Sequence, residues 1–459
     1  MKLFFQILII IIIINFIKSI IVIPLKKTPP ILNLTNTYEF INYFQQNNLY
    51  AIFKIGEPSQ NLEVLIKEDE TLFSINSLDC KLKSYYNRNI SKTFKHISKI
   101  DISGYNFLDS FIGEETFYFY TDLNLKNLKK FENISFIYDE KQKKINDNNY
   151  NCGSITLDIN RYNSGNNNKY NFIFELKKLR FINDYSWTIK FIDNDKNDSQ
   201  GYLIIGDYPH IYDSKKYEEI NIRTTLNNLA EKNWNLEFKN ITINDIPLTH
   251  YMNGIISFNK GYIIGTEEYK SKISYLFFNK YIENNICFDD NPNSGYYSYY
   301  CKSDKFNKTD IDKFPSLNFY HFQYNYTFSF NGTDLFLESN GYYYFLIIFD
   351  RYNYRNWNFG KLFLKKYQLI FNPDSKMISF YIDENDENKE EKKGNNKGNN
   401  LNNTFSKNIL LILIIIGIIS FIIGLIIGNA IYKNKKKKKA NEMNDEYLFE
   451  NNDDNSDYN

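Results

Sequence analysis

For a chain of 459 residues, several residue types are scarce: 9 Pro, 19 Gly, 4 Cys, 4 His and 3 Trp. The histidines, His96, His210, His250 and His321, show no metal-ligand spacing, and no two cysteines form a CxxC pair. A zinc ribbon and a thioredoxin-type redox motif are thereby excluded, and no metal or cofactor is expected. An excess of one charge is lacking too. Lys and Arg number 55 and Asp and Glu 54, a net charge of +1, so there is no electrostatic footprint for nucleic acid. With so little Gly and Pro, turns must fall to Asn and Asp.

Aromatics are abundant instead, with 39 Tyr and 39 Phe. The length suffices for two lobes with sizeable cores. From residue 49 to 381, short β-branched and aromatic runs alternate with Asn/Asp/Gly clusters, a strand pattern. Strands are expected at 62–66, 202–205, 236–243, 326–330 and 377–381, and helices at 173–181 and 267–281. Residues 146–151 and 163–170 read as loop insertions.

Two long apolar runs stand out. Residues 3–17 follow Lys2 and fit a signal-peptide core. This gives a signal peptide over 1–19, with an uncleaved anchor as the alternative, and a leader or possible pro-segment over 20–45. Residues 409–427 carry no charge, are about 20 in number and could span a bilayer as a helix. A lysine run at 433–439 supplies the cytoplasmic basic flank. A transmembrane helix is therefore expected over 409–432, between a stalk at 383–408 and a cytosolic tail at 433–459. That makes the chain a single-pass type I membrane protein of the secretory pathway or cell surface, with a lumenal or extracellular ectodomain. Sequons at Asn89, Asn133, Asn197, Asn240, Asn307, Asn325 and Asn331 are glycosylation candidates in that setting. The even cysteine count suggests disulfides. Cys287 and Cys301, close in sequence, are expected to pair, leaving Cys80 and Cys152 by elimination.

A series of landmarks appears in a fixed order. Residues Tyr50 to Ile55 form an apolar strand leading into Gly56-Glu57-Pro58-Ser59-Gln60. Ser103-Gly104 is followed by Asp109. Gly153-Ser154-Ile155-Thr156-Leu157 and Gly201-Tyr202-Leu203-Ile204-Ile205-Gly206-Asp207 come next. Trp234-Asn235-Leu236, Phe314-Pro315-Ser316-Leu317 and Trp357-Asn358-Phe359-Gly360-Lys361-Leu362-Phe363 complete the set. This order and spacing resemble the pepsin-like (A1) aspartic proteases. The last segment is similar to that family's Trp-x-Leu-Gly-Asp-x-Phe. The resemblance implies a mostly β, bilobed fold, with lobes at 46–222 and 223–382 and a peptide cleft between them, plus the one C-terminal transmembrane helix.

The family's chemistry requires two aspartates that share a proton, one activating water and the other protonating the carbonyl oxygen. Each follows an apolar strand and precedes Thr/Ser-Gly. Here Lys67 stands at the first position and Ser257 at the second, and Asp69 falls where the family has glycine. No Asp or Glu occurs between Ile246 and Thr266. The flap region, 97–103, lacks the family's tyrosine and glycines. The resemblance therefore implies a membrane-anchored member with degenerate catalytic loops. Such a pseudoprotease would bind a peptide or protein partner in its cleft, and the balance leans against an enzyme. The alternative is an active membrane-anchored endopeptidase with a displaced dyad. A Ser257 nucleophile with Lys67 as its base is a further arrangement.

Overall fold

A computed structural model describes residues 20–26, 39–41, 43, 49–67, 72–76, 86–99, 110–139, 152–157, 171–192, 199–226, 234–290, 296–350, 356–382 and 433. The chain divides into two units, Met1–Glu384 and Asn385–Asn459. Of the second, only Lys433 is described. The expected stalk, the apolar segment 409–432 and the signal-peptide run 1–19 lie outside the described residues.

The fold begins with a hairpin. Tyr50–Ile55 alternates buried and half-buried positions, the period-2 signature of a strand with one face in a core. It pairs antiparallel with Gln60–Lys67, Phe53 opposite Leu62 and Ala51 opposite Val64. These strands belong to a 13-stranded sheet. Its lobe interior is a cluster of rings in which Phe53 meets Phe117, Phe119 and Phe172 at 5.9, 5.4 and 5.2 Å. Helix Phe172–Lys178 packs there, capped by the Asn171 side chain on the Phe174 amide.

The part of the chain expected as a leader does not lie apart. Ile21–Lys26 is a strand of this sheet, running antiparallel to Ser199–Ile205 with Ile21 opposite Ile205. Ile21, Val22 and Ile23 are fully buried.

The second half builds a 9-stranded and a 4-stranded sheet. The stretch 236–243, expected as one strand, divides into Asn235–Phe238 and Asn240–Ile243. At the break the chain passes from one sheet to the other, and the Lys239 amide donates to the Tyr320 carbonyl at 2.9 Å. The helical region after Thr266 runs Glu267–Ile273, a π-helical Ser274–Phe278, then Asn279–Glu283. The two halves join where Ile370–Asn372 pairs with Trp187–Phe191. Beneath that seam Trp187 stacks on Phe371 at 4.3 Å.

Among the described residues no helix is long and apolar enough to cross a membrane. The expected transmembrane helix at 409–432, the membrane partner and the single-pass type I placement therefore find no helix among the described residues to carry them.

Candidate functional site

The two loops that carry Lys67 and Ser257 are built on one wiring repeated. In the first half, Gln60–Lys67 runs parallel to Gly153–Thr156, with Ile66 opposite Ile155. The chain then turns into Ser74–Asn76. That strand lies antiparallel to Gly153–Thr156 and parallel to Leu128–Asp139, Ser74 opposite Ser154 and Ile137. In the second half, Met252–Ile256 runs parallel to Trp357–Phe359, with Ile256 opposite Phe359. Its loop leads into Ile263–Gly265, antiparallel to Trp357–Phe359 and parallel to Ile347–Asp350, Ile264 opposite Asn358 and Ile348. The supporting hydrogen bonds repeat as well. The Ile66 amide donates to Leu49 at 2.9 Å and the Ile256 amide to Trp234 at 2.8 Å.

This correspondence fixes the register. Ile66 and Ile256 are equivalent, so Lys67 and Ser257 are too. Ser74 follows Lys67 by seven positions, as Ile264 follows Ser257. Neither loop is lengthened or shortened relative to the other.

The side chains at these ends are not those of a carboxylate dyad. Lys67 is half-buried and Ser257 is buried. Ser257 donates its amide to the Phe359 carbonyl at 2.8 Å. The next residue, Phe258, meets the Trp187 ring of the first half at 5.8 Å. A residue that would need a small hydroxyl to hydrogen-bond across the loops instead makes an aromatic contact. A third position departs from the motif. Lys361 stands where the family has aspartate and is only 5% exposed. Burial, aided by Lys365, pushes its ammonium down to about 7. Its amide donates to the Lys260 carbonyl at 2.6 Å, holding the Ser257 loop in place. Gly360 permits this approach, because a Cβ there would lie 2.2 Å from the Tyr262 carbonyl oxygen and 2.3 Å from that of Lys260.

Comparison with solved structures bears on the same architecture. The chain is similar to Basic 7S globulin from soybean with a TM-score of 0.54 and 12% identity, covering 80% of this chain and 97% of that one. The fold is pepsin-like. At that identity the likeness concerns the fold alone. No family model matches the chain, and no curated protein does.

Around this pepsin-like frame the remaining sequence candidates fall as follows. Cys287 and Cys301 are opposite one another on neighbouring strands and are joined by a disulfide. Cys152 is disulfide-bonded, and Cys80 lies outside the described residues. Asn89, Asn133, Asn240, Asn307, Asn325 and Asn331 are exposed, while Asn197 is outside the described residues. Of the flap region, Lys95–Lys99 is an exposed strand paired with Ser110–Tyr120. Among the described residues no group of three or more His, Cys, Asp or Glu could hold a metal ion.

One functional-looking acid escaped the sequence reading. Glu115 is buried and accepts hydrogen bonds from Tyr86 Oη at 2.5 Å, Ser91 Oγ at 2.6 Å and the Thr116 amide at 2.7 Å. Its three donors make it a structural carboxylate that closes the first lobe. Asp109, matched to the family's acid in sequence, lies outside the described residues. The Thr116-Phe117 pair after Glu115 and its place on a strand were the available signals.

Proposed function

We propose that the chain is a non-hydrolytic protein of pepsin-like fold that binds a peptide or protein segment between lobes at 46–222 and 223–382. The observation that supports this is the occupancy of the two equivalent strand ends by Lys67 and Ser257. A shared-proton mechanism needs two carboxylates there, because it is their mutual repulsion that splits their pKa values into an acid and a base. A lysine reverses the sign of the local field, and a serine supplies no charge. Lys361 adds a second cationic side chain in place of an acid. The equal spacing of the two loops argues against a displaced dyad, and the second loop has no acid to move into place. The exposed sequon asparagines and the disulfides support passage through an oxidising compartment.

The test is peptidase activity of the purified chain on a mixed peptide library from pH 3 to pH 7, with pepstatin as control, followed by capture of uncleaved peptides. The expected result is saturable capture without cleavage. Acid-dependent cleavage blocked by pepstatin would overturn the proposal.

A further inference from the structure

Residues from the stretch between the first two strands pack on the second half of the chain. Ile21–Lys26 is locked into the first-lobe sheet, and so is Tyr50–Ile55, with Leu25 opposite Ala51. Between them, helical residues 39–41 and 43 pack elsewhere. Phe40 and Ile41, at 0% and 1% exposure, share a separate hydrophobic cluster with Tyr262, Ile264, Tyr344, Leu346 and Ile348 of the second half. The Phe40 ring stacks on Tyr344 at 4.9 Å with 9° between planes. The alternate residues Ile263 and Ile347 point into the main core. The cluster therefore occupies the opposite face of Ile263–Gly265, the strand after the Ser257 loop, and of its parallel neighbour Ile347–Asp350. Burial foremost, then Tyr342, Tyr300 and the Glu39 carboxylate, pushes the Tyr344 phenol up to about 12, which agrees with a dry contact bordered by acid.

A short helical stretch is marginal on its own in water. What orders it is the groove. The groove is apolar, lined by tyrosines and aliphatics, and accepts an aromatic–aliphatic pair on consecutive residues. We infer that Phe40 and Ile41, with Tyr43 packed beside them, form a cross-lobe strap acting as a built-in ligand, and that the groove beneath them is a binding site for a short helical peptide turn bearing an aromatic–aliphatic pair. The inference goes beyond the peptide-binding reading above, because this groove is a surface separate from the cleft between the lobes. Strap and peptide compete for one surface. Because the strap follows a strand locked in the sheet, a cut before it does not free it. Opening requires displacement.

The test uses the full chain and a fluorescent synthetic peptide with the sequence of residues 36–46. In a Phe40→Asp/Ile41→Asp variant the strap is weakened, and the peptide should bind about ten-fold or more tighter than to the unaltered chain. Tyr344→Ala in that background should remove the gain, as should an aspartate at the peptide position of Phe40. Equal binding to variant and unaltered chain, or none to a folded variant, would overturn the inference. Should the double variant not fold, Tyr344→Ala alone serves. Amide hydrogen exchange at 39–43 should then rise about ten-fold, with 203–205 unchanged, whereas unchanged exchange at the strap refutes the groove. Library capture that persists while the strap peptide binds nothing would sink the groove and leave the cleft reading standing.

Discussion

The two lobes share one strand wiring around unlike interiors. The first closes on a buried carboxylate, Glu115, held by Tyr86 and Ser91. Both interiors hold clustered rings, and in the second Phe319 meets Trp357 and Phe359 at 4.9 and 5.1 Å, and Phe359 meets Phe363 at 4.5 Å. The difference lies in buried charge-bearing side chains: among the described residues the first half buries Glu115, Glu175 and Asp207, and the second buries the basic Lys361 and His321. The comparison separates what the wiring demands from what it tolerates. It demands close backbone approach where parallel strands flank the loop. It tolerates a hydroxyl or a lysine at the strand end.

The largest effect is expected where backbone approach is closest. Gly360→Ala would drive a methyl into two carbonyl oxygens that cannot retreat independently. A loss of about 3–5 kcal/mol is expected, at the severe end for single substitutions. It should fall on the second lobe. Amide hydrogen exchange through a urea titration, read at 317–319 for the second lobe and at 62–66 for the first, would show which transition moves.

The matching cut in the first lobe is Glu115→Ala. It leaves the Tyr86 and Ser91 hydroxyls without their acceptor, at about 1–3 kcal/mol for each group stranded away from water. The transition read at 62–66 should shift by about 3 kcal/mol in all, while the one read at 317–319 stays put. If both transitions shifted together, the interiors would not be separable and the comparison would fail.

The basic groups of the second lobe give it a pH response. His321 is buried beside Phe238 and stacked on Tyr324 at 4.1 Å, and its Nδ1 accepts the Tyr324 amide at 3.2 Å. Burial pushes it down to about 4, only partly offset by Glu237. The unfolded chain therefore binds a proton that the folded chain refuses between pH 6.5 and about 4. Stability falls as pH drops through that window, by roughly 2–3 kcal/mol at its foot. His321→Gln should flatten that slope. Lys361 acts in the alkaline window. Its folded pKa lies near 7 against 10.5, so stability rises with pH between those values. Lys361→Met should remove the rise and stabilise the lobe at neutral pH by about 1–3 kcal/mol, as when buried charge is replaced by apolar volume. A persistent rise in that variant would assign it to another group.

How much of this could be read in the sequence depended on what each residue's neighbours were. The strands at 326–330 and 377–381 are found as expected, because alternation bounded by polar turns is a local signal. The disulfide between Cys287 and Cys301 was legible from proximity. Ile21–Lys26 was misread because its continuous β-branched run abuts the apolar segment 3–17. A fully buried strand and the end of a leader look alike without their partners. The groove under Phe40 joins residues some 300 positions apart in sequence, so no local pattern could announce it. Lys361 was visible as a motif residue, but its burial and its bond to the Ser257 loop depend on the strand pairing.

The smallest expected effect is the most informative. Lys67→Asp with Ser257→Asp rebuilds the two acids at equivalent strand ends, and the folded variant should still show no pepstatin-sensitive cleavage. Two obstacles remain after the swap. Phe258 presents a ring to Trp187 where a hydroxyl would be needed to tie one loop to the other. Lys361, whose amide holds the second loop, keeps a buried basic side chain that is cationic at acid pH, and a cation favours ionisation of a nearby carboxylate and opposes the shared proton. Adding Phe258→Thr and Lys361→Asp addresses both. Activity from the double variant alone would mean that the scaffold lost only its two acids and that the surrounding substitutions are neutral. Activity only from the quadruple variant would locate the loss in the loops' support as well as in their tips.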